Sequence, residues 1–111
     1  MEQAKTLWRL YTTNRANLPR ITRQWFDAFT VSPATGAWRG VTEAAAVVEI
    51  IGHATDKARI RGLARDIRQT NTEDVVVIVE IPGVSYYEET GNDDDEPLRG
   101  DVTLPAVMTV Q

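Results

Sequence analysis

Two glutamates and one arginine are the best candidates for chemistry in this chain. Glu49, Glu80 and Arg9 each stand in a separate apolar, β-branched run. Two carboxylates held close together differ in pKa, so one can act as general acid or base while the arginine binds an anion. The same charges can instead form a satisfied ion network inside a dimer interface. This structural interpretation is favoured, because a paired charge network is not by itself a catalytic site.

Two aromatic side chains and an arginine form a second candidate site. Trp38 and Arg39 lie between Gly36 and Gly40, in a segment typical of a hairpin rim. Together with Tyr11 they suit a planar anion as ligand. The alternative is structural, with the Trp38 indole packed over the end of a sheet and the Arg39 guanidinium in solvent. We prefer the structural role and keep the ligand pocket as the alternative.

Metal and cofactor chemistry find little support in the residue types. The chain has no cysteine and a single histidine, His53, which excludes metal centres rich in these ligands. The acidic run at residues 93–95 lacks the alternating spacing of calcium ligands. Neither GxGxxG nor GxxxxGK occurs, so the glycines do not form a phosphate-binding motif. We therefore expect no metal and no cofactor.

Charge divides the 111-residue chain into unequal parts. Residues 1–84 contain eleven Lys and Arg against nine Asp and Glu, whereas residues 85–101 contain seven acids and one arginine. A block of like charge with turn formers is typical of a solvated loop. The length suits one core. We predict a domain at 1–84, ending near Pro82, then an acidic flexible loop at 85–101 and an extended arm at 102–111.

The N-terminal residues lack the pattern of a signal peptide, and no run of eighteen apolar residues occurs. We expect a cytoplasmic protein without membrane contact. Four basic residues share one face of a predicted helix, and such a stripe is more often solvated than bound to phosphate. Nucleic acid is not expected as a partner, because the net charge is −4. The stripe consists of Lys57, Arg61, Arg65 and Arg68.

Hydrophobic periodicity predicts six elements. Residues 6–13 alternate as a strand, and Pro19 begins a helix in which Ile21, Trp25 and Phe29 form one stripe. Residues 29–40 predict an edge strand with a bulge, because Pro33 and Gly36 interrupt it. The remaining elements are a turn at 40–43, a strand at 44–52, an amphipathic helix at 56–70 and a strand at 74–82 that stops at Pro-Gly.

This order predicts an α+β fold. Strand, helix, strand, strand, helix, strand is most economically a ferredoxin-like βαββαβ two-layer sandwich, with a four-stranded antiparallel sheet and both helices on one face. The expected strand order is fourth, first, third, second, with a C-terminal extended arm added. The edge position of the second strand agrees with its proline and glycine.

Several segments also resemble a family. FTVSPATGAWRG, then AAAVVEIIG, a basic amphipathic helix and DVVVIVEI resemble a group of small proteins of unknown function from phages and bacterial mobile elements. The resemblance implies the same two-layer fold. It transfers no catalytic residue, cofactor or substrate.

The sheet face without helices is the predicted contact surface. If Trp8, Val48 and Val77 face the helices, alternation places the three charges on the opposite face among apolar side chains. Such an open face is commonly an interface, so we expect a homodimer. Its predicted residues are Leu7, Arg9, Tyr11, Val47, Glu49, Ile51, Val76, Ile78 and Glu80.

Three functions follow as hypotheses. The favoured one is a small accessory or binding protein that self-associates through the open sheet face, without chemistry of its own. The second is a small ferredoxin-like lyase or isomerase that uses Glu49 or Glu80 with Arg9. The third is an inhibitor of a protein interaction, in which the acidic segment mimics nucleic acid or binds a basic protein partner. The arm at 102–111 is expected to pair with the edge of the second strand, more favourably in a neighbouring subunit.

Overall fold

The computed structural model describes residues 3–91. In this range the chain forms four strands and two α-helices, with one turn of 3-10 helix before the second helix. The elements are β1 (Gln3–Thr13), α1 (Leu18–Arg23), β2 (Thr30–Trp38), β3 (Val41–Gly52), the 3-10 turn (Ala54–Asp56), α2 (Lys57–Thr70) and β4 (Val77–Tyr86).

The strands form one antiparallel sheet in the order β2-β3-β1-β4. This is the predicted order read from the other edge, so the α+β, ferredoxin-like arrangement is confirmed. β1 and β3 are the central strands, and β2 and β4 are the edges. Among the described residues, no helix is both long and apolar enough to cross a membrane.

The core lies between one face of the sheet and the two helices. Trp8, Leu10 and Val48 are buried on the sheet side, as the alternation in β1 and β3 predicts. From α2 the predicted apolar face is buried, because its members recur at helical spacing toward the sheet. These α2 residues are Ile60, Leu63, Ala64 and Ile67.

The first helix is much shorter than predicted. α1 ends at Arg23, so Trp25 and Phe29 lie beyond it. The amides of Trp25 and Phe26 both donate to the carbonyl of Thr22, which closes the last turn. Phe26 and Phe29 are both buried although they lie outside the helix. The prediction through Phe29 was wrong because core packing outweighed the local period.

The β2–β3 hairpin is tighter and more regular than predicted. Trp38 pairs with Val41, so only Arg39 and Gly40 form the loop, and both have positive φ, 53° and 82°. This is the signature of a type I′ turn, whose twist matches the strands. β3 therefore starts at Val41 and not near residue 44. The β2–β3 register is continuous, so the predicted bulge is absent from this pair.

The turn provides a first prediction. Arg39→Asn is expected to raise the free energy of unfolding by a few tenths of a kcal/mol, because Asn tolerates the left-handed conformation better than Arg. Gly40→Ala is expected to lower it by about 1 kcal/mol or more, since a Cβ is strained at that φ. Urea denaturation of the two variants measures both effects. Equal stability of the three proteins would contradict the turn assignment.

β4 begins later and ends later than predicted. It runs from Val77 to Tyr86 and passes through Pro82 and Gly83. Lys5 pairs with Val84 and Leu7 with Ile81, so β4 carries one extra residue at this point, next to Gly83 with φ 74°. The Pro-Gly pair is thus a β-bulge in an edge strand, where a missing N–H is tolerated. The predicted strand end at Pro82 was wrong for this reason.

The predicted arm at 102–111 and most of the acidic segment at 85–101 lie outside the described residues. The division into a domain, an acidic loop and an arm stays a prediction.

Candidate functional site

The face of the sheet away from the helices is the candidate functional site, and we call it the open face. β1 presents Leu7, Arg9 and Tyr11 there, because the intervening residues are buried beneath the helices. The register places alternate residues of the other three strands beside them. These residues are Thr30, Ser32, Ala34, Gly36 and Trp38 from β2; Val41, Glu43, Ala45, Val47, Glu49 and Ile51 from β3; and Val77, Val79 and Ile81 from β4.

The register of β4 differs by one residue from the predicted one. Tyr11 pairs with Val77 and Leu10 with Ile78, so Val77 lies on the open face and Ile78 on the helix side. Val76 and Ile78 pack against the core. A shift of one residue moves every side chain to the opposite face. The prediction that Val76, Ile78 and Glu80 lie on the open face was therefore wrong.

One ion pair lies within the apolar open face. Arg9 pairs with Glu49 in register, and its Nε donates to Glu49 Oε2 over 2.7 Å. The hydrogen bond to Glu49 and its charge raise the pKa of the Arg9 guanidinium above its ordinary value. Both side chains remain about one-third exposed, at 36% each. The pair is thus formed and neutral in charge, but still accessible to a partner.

Glu80 lies on the other side of the sheet. It pairs with the buried Trp8 in register, and its Oε1 is 3.6 Å from Nζ of Lys57 at the start of α2. The predicted cluster of Arg9 with both glutamates therefore does not form. Two carboxylates separated by the sheet cannot share a proton or a substrate, so a mechanism that pairs Glu49 with Glu80 lacks its geometry.

A groove of about 470 Å³ lies at one end of the open face. Tyr11, Ala45 and Val47 contribute from the central strands, Trp38 from the hairpin and Val77 from β4. The groove thus brings together Tyr11 and Trp38 of the predicted ligand site. The Arg39 guanidinium lies over the Trp38 ring, 5.4 Å from its centroid, and the groove lining does not include it.

The charges along the groove favour a cation over the predicted planar anion. Glu43, Glu73 and Asp74 line it together with one cation, Arg15. Aromatic faces also attract cations. The sequence did not single out Glu73, whose two carboxylate oxygens share one hydrogen bond from the Thr12 hydroxyl, at 2.6 and 2.8 Å from its oxygen. No periodic pattern signals this contact, because it joins residues from distant parts of the chain.

His53 has a structural role through its main chain. Its carbonyl accepts a hydrogen bond from Nε1 of the buried Trp8 over 3.1 Å, and its amide donates to Asp56 Oδ2 over 2.9 Å. Within residues 3–91, no group of three or more His, Cys, Asp or Glu side chains is placed to hold a metal ion.

Comparison with known proteins identifies no relative. No protein-family model matches the chain, and no match is found among the curated proteins or the solved structures. Function must therefore be argued from the open face itself.

Proposed function

We propose that this chain is a small binding protein that self-associates through its open face. This proposal rests on a sheet face that has exposed apolar side chains on all four strands and at whose centre the charges of Arg9 and Glu49 pair with each other. Ile51 is 50% exposed, Val77 45% and Trp38 42%. Contiguous apolar patches of this kind mark contact surfaces.

The size of the face suits a reversible dimer. Four strands about 4.8 Å apart and about eight residues of 3.3 Å each give a footprint of roughly 500 Å² per copy. Two such faces bury roughly 1,000 Å², which is the lower limit for a specific interface. A dissociation constant of about 1–100 μM is therefore expected.

The central charges support a second copy as the partner. A two-fold axis places the same patch against itself, so each residue contact occurs twice. Arg9 of one copy can then pair with Glu49 of the other, and the two charges of each copy are mutually compensated. A partner of another sequence gains such added ion pairing only if it presents an acid and a base at matching positions. The self-complementary pair thus favours a homodimer.

The test is a double substitution on the open face. Val47→Lys with Val79→Lys is expected to weaken dimerisation at least about 100-fold, because both lysines enter the interface without a carboxylate partner. Sedimentation equilibrium over a range of protein concentrations measures the dissociation constant of each variant.

A matched control adds the same charge elsewhere. Ala58→Lys with Gln69→Lys places two lysines on exposed positions of α2, and the dimer is expected to persist. A wild-type protein that stays monomeric up to millimolar concentration would reject self-association, as would equal weakening by both double variants.

The two other hypotheses, a lyase or isomerase and an inhibitor, depend on different residues. The lyase or isomerase would have to use Glu49 or Glu80 singly, since they lie on opposite faces. The inhibitor hypothesis depends on the acidic segment, whose charge is complementary to the exposed arginines of α2. A place among phage and mobile-element proteins, and in the cytoplasm, stays a prediction from the sequence.

A further inference from the structure

A row of three arginines lies along the outer flank of α2. Arg61, Arg65 and Arg68 are exposed, and their spacing of four and three residues aligns them on one side of the helix. Trp25 and Asp66 mark the opposite flank, where α2 meets the segment that follows α1. Among residues 3–91, no carboxylate lies within ion-pair distance of any of the three arginines. We call these residues the arginine row.

The other two cations of α2, Lys57 and Arg59, each have a carboxylate partner, unlike the members of the arginine row. Lys57 pairs with Glu80. Arg59 lies 3.5 Å from Asp56 and stacks over the Phe26 ring, 4.4 Å from its centroid. Like charges three or four residues apart destabilise a helix. The arginine row therefore offers a site at which an anionic chain relieves repulsion as well as gaining attraction.

The chain itself contains the complementary anion. Residues 93–96 are Asp-Asp-Asp-Glu, within a segment that holds seven of the sixteen acidic residues of the chain. We propose that this acidic segment, residues 93–96, binds the arginine row. Arginine and carboxylate form short, charge-assisted hydrogen bonds, and consecutive acids can meet several arginines at once.

The reach of the chain permits this contact. Glu80 of β4 lies beside Lys57 at the beginning of α2, and Tyr86 lies about 20 Å further along the strand. Arg61 is about 6 Å along the helix from Lys57, in the opposite direction. The total of about 26 Å is within the span of about 33 Å available to the ten residues from Tyr86 to Glu96, so the end of the acidic segment can reach Arg61 within one copy, whereas Arg65, about 6 Å further along the helix, requires a nearly fully extended chain. A neighbouring copy can supply the same segment without this constraint.

Zero-length cross-linking tests the contact directly. In an Arg61→Lys variant of the full chain, a water-soluble carbodiimide is expected to join the introduced lysine to residues 93–96 at low ionic strength. The yield should fall several-fold at 0.5 M salt, since screening is then stronger. The native pair of Lys57 and Glu80 provides an internal positive control, and Gln24→Lys, an exposed position after α1, provides the negative one.

Peptide mapping by mass spectrometry decides the outcome. A link within one chain shows that the segment comes from the same copy, and a link between two chains shows that it comes from a neighbouring copy. Either result supports the proposal. The proposal is overturned if the introduced lysine forms no such link although Lys57 and Glu80 are joined, or if Gln24→Lys links equally well.

Access to the row provides a second readout. Heparin is the probe. Replacing residues 93–96 by Asn-Asn-Asn-Gln is expected to raise the affinity of the protein for heparin about tenfold or more at low salt, because the acidic segment then no longer occupies the arginine row. Adding Arg61→Gln, Arg65→Gln and Arg68→Gln to that variant should abolish the gain. Tight heparin binding by the wild type, equal to that of the neutralised variant, would overturn the proposal and indicate a nucleic acid or another polyanion as the occupant.

Discussion

Ile78→Lys is expected to lower the free energy of unfolding by about 2–4 kcal/mol. This is the largest effect that we expect from a single charge introduced into β4. Ile78 pairs in register with the fully buried Leu10 and packs against the core between sheet and helices. A lysine there loses apolar contacts and places a charge near side chains that offer no counter-charge. Urea denaturation should show the midpoint shifted by about 1–2 M.

Val79→Lys is the matched control at the next residue. Val79 pairs with Arg9 on the open face, where an added lysine can extend into solvent, so a loss below about 1 kcal/mol is expected. Both variants should be compared at a protein concentration far below the dimer dissociation constant, because Val79 belongs to the proposed interface. If Val79→Lys proved the more damaging change, the observed β4 register would be wrong and the one predicted from the sequence correct.

Gly62→Ala is expected to destabilise the protein by about 1–3 kcal/mol, although alanine is the better helix former. A Cβ at Gly62 would lie 2.5 and 2.6 Å from two atoms of the Trp25 ring, which is too close for any unshifted contact. The ring cannot move freely, because its Nε1 donates to Asp66 Oδ2 over 3.0 Å and the Trp25 carbonyl accepts a hydrogen bond from Arg59.

Two further variants separate packing from helix propensity. Ala58→Gly, at an exposed position of the same helix, should lower the free energy of unfolding by up to about 1 kcal/mol, because glycine has a lower helix propensity than alanine. Trp25→Leu combined with Gly62→Ala should show a favourable coupling of about 0.5–3 kcal/mol, since the smaller side chain leaves room for the methyl group. Gly62→Ala that stabilised the protein by thermal and urea denaturation would refute the close approach.

Much of the fold was readable from local patterns. In β1 the alternation of Trp8, Leu10 and Thr12 with Leu7, Arg9 and Tyr11 assigned both faces correctly. In α2 the spacing of Ile60, Leu63, Ala64 and Ile67 identified the buried side. These elements have one buried and one exposed face, so period and burial carry the same information.

Other elements could not be read from local patterns. The stripe of Ile21, Trp25 and Phe29 predicted a longer helix, yet α1 ends at Arg23, and Phe26 and Phe29 are buried outside the helix. The groove contact between Glu73 and Thr12 joins residues sixty-one positions apart, and no sequence pattern marks such a pair.

By itself, the sequence determined the order of elements, the sheet topology and the shared face of Arg9 and Glu49, since alternation in β1 and β3 is unambiguous. Only the tertiary structure decided the face on which β4 places its side chains. Residues 75–79 read Val-Val-Val-Ile-Val, so both possible registers present equally apolar faces, and the following Glu80 suggested the wrong one. Glu80 lies on the helix side because β4 is an edge strand, where a glutamate remains one-third exposed, at 34%, and meets Lys57 from α2. A charge at an edge needs only water and one partner, and its presence therefore says little about which face of the sheet is buried.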